Sequence, residues 1–231
     1  MSDFDLFAME TLAADASRQV LAYQHASAAD YRQALGTLLT HFERLVRETR
    51  RMISQSDRRE AEMNQLNARL GELARRLQYE ATHDGLTGVL NRAAITDRAE
   101  QLMGAVILLD IDHFKRINDH HGHPCGDATL IELTRRVLAT LPAEAMLGRL
   151  GGEEFLVVCP GMRLGEAAIL AETVREQVAG QPFTAGGHAL AVSISAGVAL
   201  LMADAHSAYQ SADAALYRAK SGGRNRVEVA R

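Results

Sequence analysis

Asp110 closes the apolar run A-V-I-L-L-D-I-D (105–112), the pattern of a buried strand. A carboxylate at the end of such a strand is costly unless it is paired or bound to a metal. Side chains alternate along a strand, so Asp110 and Asp112 share a face if the extended conformation continues. Asp110 is the stronger ligand candidate; Asp112 can instead satisfy local backbone. The second acidic place is R-L-G-G-E-E-F (149–155). A Gly-Gly pair between strand formers predicts a tight hairpin turn, whose central residues need positive φ. Glu153 and Glu154 then repel each other at its tip. Either solvent or a cation can offset that repulsion. If the turn lies beside the end of the 105–111 strand, both glutamates join Asp110 in a hard oxygen site. Such a site suits Mg²⁺ shared with substrate phosphates, and two such ions can activate an attacking oxygen and steady a leaving one.

The stretch D-I-D-H-F-K-R-I-N-D-H-H-G-H-P-C-G-D (110–127) adds Asn118 and Asp127. A carboxylate can take the N1–H and N2–H₂ donors of guanine, and an amide complements both donors and acceptors. Lys115, Lys220 and Arg224 supply cations that can hold phosphates. His120, His121 and His123 have the look of a metal box, but two of them read more simply as a polar loop. Cys125 and Cys159 read as small packing residues. Phe155 and Leu156 read as core of the second hairpin strand, and Asp84, Asn91 and Arg92 as organisers of the domain's opening turn. Arg149 either reaches a phosphate or flanks the Gly-Gly turn.

The elements that must position these groups follow from the rest of the chain. With 231 residues, 47% hydrophobic and 23% charged, it has room for one or two globular domains and a sizeable core. A net charge of -4 with mixed signs gives no basic field for a nucleic-acid duplex. Two cysteines without metal spacing argue against a disulfide framework and point to a cytoplasmic chain. Neither a signal peptide nor a transmembrane span is apparent.

Between residues 31 and 77, positions spaced alternately four and three apart are mostly apolar, from Tyr31, Leu35 and Leu38 through Phe42 and Leu45 to Leu66, Leu70, Leu73 and Leu77. No proline interrupts them. This heptad seam predicts a coiled coil of roughly 70 Å. Self-association covers the stripe; the alternative is a helix folded back on its own domain or on the segment before it. Thr49, Ser56 and Arg59 weaken the seam. The Ala-rich first 30 residues read as another helix, folding back on the stalk or binding a partner. From about residue 82 strands and helices alternate: strands at 105–112, 155–159 and 191–200, helices at 128–141, 166–178 and 213–220. That is an α/β domain with a central sheet, giving a layout of residues 1–81 helical and 82–231 α/β.

Over residues 82–229 the chain resembles the GGDEF family of diguanylate cyclases. The resemblance rests on D-G-L-T-G-V-L-N-R (84–92), the 110–127 stretch, G-G-E-E-F (151–155), S-A-G-V-A (195–199) and D-A-A-L-Y-R-A-K-S-G-G-R-N (213–225). Motifs in this order and spacing are specific, where G-G-E-E-F alone would be weak. The resemblance implies a fold like the palm of polymerases and nucleotide cyclases, an antiparallel-rich sheet packed by helices. It also implies condensation of two GTP into cyclic di-GMP with release of two pyrophosphates, each domain of a facing pair binding one GTP. By position, Asp110, Glu153 and the Ile111 carbonyl would bind Mg²⁺, two ions per GTP, with Mn²⁺ able to substitute. Glu154 would bind the second ion or help to deprotonate the attacking 3′-hydroxyl. Asn118 and Asp127 would read guanine, and Lys220 and Arg224 would contact phosphates. Backbone N–H groups of His113, Phe114 and Lys115 would cradle β and γ oxygens, with the Lys115 side chain assisting.

One departure from the family pattern stands out. An inhibitory product site R-x-x-D ends six residues before the first motif glycine, and here that window is P-A-E-A (142–145). No product inhibition through it is expected. Regulation is expected through the stalk, as a homodimer or dimer of dimers, or through a separate regulatory protein. A weak GTP or cyclic di-GMP receptor and a coiled-coil scaffold are the competing readings.

Overall fold

The computed structural model describes residues 7–202 and 204–230. The chain divides into two compact units between Leu73 and Ala74. The first holds α1 (Ala8–Ala22) and most of α2 (Ala28–Thr82), a helix of 55 residues that continues into the second unit. Ser27 and Asp30 begin α2 as a reciprocal cap: the Asp30 carboxylate accepts from the Ser27 amide and hydroxyl, both at 2.7 Å, and the Ser27 hydroxyl accepts from the Asp30 amide at 3.3 Å. Such a cap satisfies donors that the first turn leaves open. The Ala-rich start forms α1 and folds back on α2, with Ala13 and Ser17 buried. Arg44 of α2 donates to the Glu10 carboxylate, and His41 Nδ1 lies 3.9 Å from it.

No described side chain of α2 is buried. Phe42, Met63, Leu66, Leu70 and Leu77 of the seam are 62%, 57%, 52%, 55% and 56% exposed, so a single chain leaves most of the stripe in water. Among the described residues no helix is long and apolar enough to cross a membrane.

The second unit is built on β1 (Leu90–Asn91), β2 (Gly104–Ile111), β3 (Met146–Gly151), β4 (Glu154–Pro160), β7 (Ile194–Leu201) and β8 (Val227–Val229). They form one six-stranded sheet in the order β1-β3-β4-β2-β7-β8. The central strands are antiparallel, while β1 lies parallel to β3 and β8 to β7. A separate hairpin joins β5 (Phe183–Ala185) to β6 (His188–Leu190). The helices are α3 (Arg92–Glu100), α4 (Phe114–His121), α5 (His123–Thr140), α6 (Leu164–Ala179) and α7 (Ala205–Ser221).

β2 is buried on both faces, which is why its sequence is almost continuously apolar. Ala105, Ile107, Leu109 and Ile111 pack in one cluster with Leu130, Leu133 and Val137 of α5 and Ala171 and Val174 of α6. Val106 and Leu108 face the other way, into a cluster with Ile95 of α3 and Ala212 and Leu216 of α7. Alternation therefore sends Asp110 to the α3/α7 face.

Two local expectations change. The strand expected at 191–200 begins only at Ile194, because the chain before it serves other partners: residues 188–190 pair with β5, and the Ser193 carbonyl accepts from Asp112 N at 2.9 Å. His120 and His121 lie in the last turn of α4 rather than in a loop. Gly122, at φ 80°, separates α4 from α5.

Gly197 of β7 sets how closely α7 approaches the sheet, since a Cβ there would stand 2.0 Å from the Ala212 carbonyl oxygen and 2.5 Å from Leu216 N. Backbone cannot yield as a side-chain tip does. Gly197→Ala is expected to lower stability by about 3 kcal/mol in urea denaturation. Gly165→Ala, at a first-turn position of α6 with nothing within 4 Å, is expected to be neutral or stabilising by up to about 1 kcal/mol.

Candidate functional site

The register of the sheet assembles the acidic groups. Asp110 stands directly opposite Glu154 on β4 and Ser195 on β7. Asp110 is 4% exposed, and Lys220, near the end of α7, donates Nζ to its Oδ2 at 2.8 Å. Burial still pushes the Asp110 carboxyl above its usual range; the Lys220 ammonium opposes the rise, while Glu154 and Asp112 add to it. Glu153 is also pushed up, first by burial and then by Asp110, with Lys220 opposing and Glu154 adding. Three carboxylates thus feel one another around a single ammonium, and ionising all of them leaves an uncompensated negative charge.

An all-oxygen set with surplus negative charge is the chemistry that hard divalent cations satisfy. Among the described residues no three acidic, histidine or cysteine side chains already surround one cation position. Lys220, the residue expected on phosphate, pairs with Asp110 in this structure. Asp112 is occupied differently: it accepts from Ser193 Oγ at 2.6 Å, Ser195 Oγ at 2.7 Å and Asn225 N at 3.0 Å. It is fully satisfied as an anchor, and what it anchors is the segment carrying Arg224, where Arg224 and Asn225 have φ of 62° and 44°.

The signature turn is a β-bulged hairpin, with the register shifting between Arg149 and Gly151. Gly151 and Gly152 have φ of 159° and 40°. A Cβ on Gly152 would meet nothing within 4 Å, so the requirement there is conformational rather than steric. Arg149 flanks the turn. Its Nη2 and Nε donate to the Gly152 carbonyl at 2.7 and 3.1 Å, and its Nη1 donates to Asp84 Oδ1 at 3.1 Å. Asp84 also accepts from Thr87 N at 2.9 Å and Thr87 Oγ1 at 2.6 Å. Arg92 Nε donates to the Leu150 carbonyl at 2.6 Å, gripping the other shoulder of the turn. Asn91 caps α3 by accepting from Ala94 N at 3.0 Å.

Two residues, Asp112 and His113, separate α4 from β2. The α4 N-cap, His113, is left-handed at φ 59° with no side-chain cap, a conformation costing a non-glycine residue about 1–2 kcal/mol. The first N–H groups of α4 have no acceptor within the helix and form an anion-favouring end. The Phe114 side chain is buried in the core, so only its backbone is available to a ligand, while the Lys115 side chain is exposed. Asn118 on α4 lies over Gly126 on α5, where a Cβ would come 1.9 Å from Asn118 Oδ1. Gly126 was missed as a positioning residue; its place beside Asp127 was the one signal for it. Asp127 and Arg224 are exposed.

Among the described residues, His120, His121 and His123 form no group of three metal-ligating side chains. His120 Nδ1 donates to the Arg116 carbonyl at 2.7 Å, and the His121 ring lies 4.8 Å from that of His188. Cys125 and Cys159 are buried, and burial pushes the Cys159 thiol up to about 11, which leaves it inert as a nucleophile.

Residues 81–226 match the family described as diguanylate cyclase, GGDEF domain. Diguanylate cyclase DgcP of Pseudomonas aeruginosa is 40% identical over 164 residues, covering 66% of this chain and 24% of that protein. The chain spans between 20% and 26% of the length of the first curated relatives it matches. Among solved structures, the coiled coil and GGDEF domain of DgcB from Caulobacter crescentus, in complex with c-di-GMP, superposes with a TM-score of 0.71 at 30% identity, over 75% of this chain and 98% of that one. Diguanylate cyclase SiaD of Pseudomonas aeruginosa, in complex with its activator SiaC, gives 0.63 at 29% identity, over 95% of this chain and 98% of that one.

Asp84 offers a pH test of the hold on the turn. Burial acts to raise its pKa, but the Thr87 hydroxyl and amide and the Arg149 guanidinium outweigh burial and hold it below the usual range. A lowered folded pKa stabilises above the unfolded value near 3.9, and that stability is lost as pH falls through the folded pKa. Asp84→Asn is expected to cost about 1–3 kcal/mol at pH 7. In urea denaturation at a series of pH values, the gap from wild type should close below about pH 4.

Proposed function

Because this chain belongs to the diguanylate cyclase GGDEF family, we propose that it condenses two GTP into cyclic di-GMP. The observation that carries the reading is the electrostatic coupling of Asp110 with Glu153 and Glu154 beside the bulged Gly151-Gly152 turn, with more negative charge than Lys220 alone offsets. The residues suit divalent cations: the three carboxylates and the Ile111 carbonyl would hold a pair, Mg²⁺ with Mn²⁺ able to substitute. When bound, the ions supply positive charge for the triphosphate and acidify the attacking 3′-hydroxyl.

The chain's own groups do the rest. Asn118 and Asp127 select guanine, and the N–H groups of His113, Phe114 and Lys115 receive β and γ oxygens at the start of α4. The Lys115 side chain assists them. Lys220 exchanges Asp110 for phosphate, and Arg224 adds a second cation. The 3′-oxygen of one GTP attacks the α-phosphorus of the other, its proton passing to base with Glu154 helping. The α–β anhydride bond breaks and pyrophosphate leaves. The same step in the opposite direction closes the ring, so two domains must face each other.

The exposed stripe of α2 supports a homodimer, or a dimer of dimers, that raises the local concentration of the second domain. The α1–α2 hairpin is a platform for a separate regulatory protein, by analogy with SiaD and its activator. The substrate pool places the protein in the cytoplasm. Pro142 and Ala145, joined by a turn bond from Ala145 N to the Pro142 carbonyl at 3.0 Å, carry neither a guanidinium nor a carboxylate. We therefore assign no inhibitory product site to residues 142–145.

Incubation with GTP and Mg²⁺, followed by nucleotide separation, is expected to yield cyclic di-GMP and pyrophosphate. Glu153→Ala and Glu154→Ala should each lower turnover by at least about 100-fold; full activity in either refutes the metal assignment. GTP binding without any turnover would favour the receptor reading. The double substitution Leu66→Glu and Leu70→Glu in the full chain should shift the species seen by light scattering to monomer. Specific activity should then rise with protein concentration, and undiminished activity on dilution counts against assembly through α2.

A further inference from the structure

The face of the sheet that carries Asp110 is covered by α3 and α7, but not between them. The gap is a cavity of about 730 Å³, floored by Val106, Leu150 and Leu156 and walled by Arg92, Thr96 and Tyr209. Ligand sites usually fall in the range of about 300–1,000 Å³, with an apolar lining and few polar groups. Small side chains keep the space open: Ala93 and Ala99 on α3, and Ala205 on α7.

Its polar groups are not evenly placed. Arg92 uses Nε on the Leu150 carbonyl, and among the described residues its two Nη groups make no hydrogen bond or ion pair. The Tyr209 hydroxyl likewise has no hydrogen bond among the described residues. Burial pushes the Tyr209 phenol up, with Glu154 and Asp213 adding to the rise and Arg92 opposing it. Tyr209 is therefore within electrostatic reach of both Arg92 and a signature glutamate. The acids at the rim, Asp97 and Glu100, lie further along α3, and Asp97 already accepts from Gln101 Nε2 at 3.1 Å. The unpaired cation stands at the end nearest the Gly151-Gly152 turn.

We propose that this cavity is a regulatory site for an amphipathic organic anion, its apolar body on Val106, Leu150 and Leu156 and its carboxylate on Arg92 and the Tyr209 hydroxyl. Arg92 also grips the peptide just before Gly151, so an anion that draws on its guanidinium alters the hold on the segment bearing Glu153 and Glu154. The effect on turnover rests on the cyclase reading; the binding does not.

The test uses the full chain and decanoate, followed by titration calorimetry. One saturable site per chain is expected. Thr96→Trp fills the cavity from an exposed helix position and should weaken decanoate at least tenfold. Arg92→Gln should weaken decanoate at least tenfold while leaving decanol within threefold of wild type. Leu70→Glu, on the exposed α2 stripe, should change neither. Thermal melts establish that each variant folds, and Ala93→Phe replaces Thr96→Trp if the latter does not. Non-saturable uptake, unchanged decanoate affinity in a folded cavity-filled variant, or loss only in Leu70→Glu overturns the site. Saturable, Arg92-dependent binding that leaves cyclic di-GMP synthesis unchanged overturns the regulatory role. Saturable, Arg92-dependent binding to a chain that makes no cyclic di-GMP upholds the site and instead defeats the cyclase reading.

Discussion

A carboxylate at the end of a strand buried on both faces is the constraint around which this domain is arranged. Asp110 sits where burial disfavours its charge, and one ammonium, Lys220, lies against it. That pairing depends on α7 lying close against β7, which in turn depends on the missing side chain of Gly197. Glu153 and Glu154 add charge that Lys220 cannot offset alone. The arrangement is electrostatically incomplete, and a dication with a polyphosphate is the kind of ligand that completes it. Charge surplus of this sort is common where chemistry is done, because the groups are placed for a ligand rather than for the fold alone.

The turn bearing the glutamates is held from both shoulders. Arg92 takes the Leu150 carbonyl, and Arg149 takes the Gly152 carbonyl while reaching Asp84. Two guanidiniums, each rigid and with several donors, fix a turn whose glycines would otherwise allow many conformations. Asp84 belongs to the segment that follows α2, and the Tyr79 hydroxyl of α2 donates to the Gly88 carbonyl at 3.4 Å within it. The end of the long helix and the Gly151-Gly152 turn thus share a short chain of polar contacts inside one compact unit.

For α2 the governing fact is solvent. A helix whose apolar seam is more than half exposed at most positions has a standing incentive to pair, since tertiary contacts within one chain do not cover it. On the proposed reaction that incentive has a use, because one domain holds only one of two substrates.

The sequence by itself determined the elements whose signals are local. The apolar run of β2, the hairpin around Gly151-Gly152, the helix of the heptad seam and the periodic faces of α5 and α6 need only neighbours in the chain to be read. The acidic positions, and the motifs that mark the family, were legible for the same reason. α4 escaped because its apolar side rests on Phe114 and Ile117 alone, among polar residues. The partners of two residues come from far along the chain: Asp112 engages Ser193, Ser195 and Asn225, and Arg149 engages Asp84 while flanking the turn at the Gly152 carbonyl. The Lys220–Asp110 pair, the room that Gly126 gives Asn118 and the cavity between α3 and α7 were decided only in three dimensions. Each depends on how far apart helices and strands come to rest, and that spacing is set by packing between segments the sequence keeps apart.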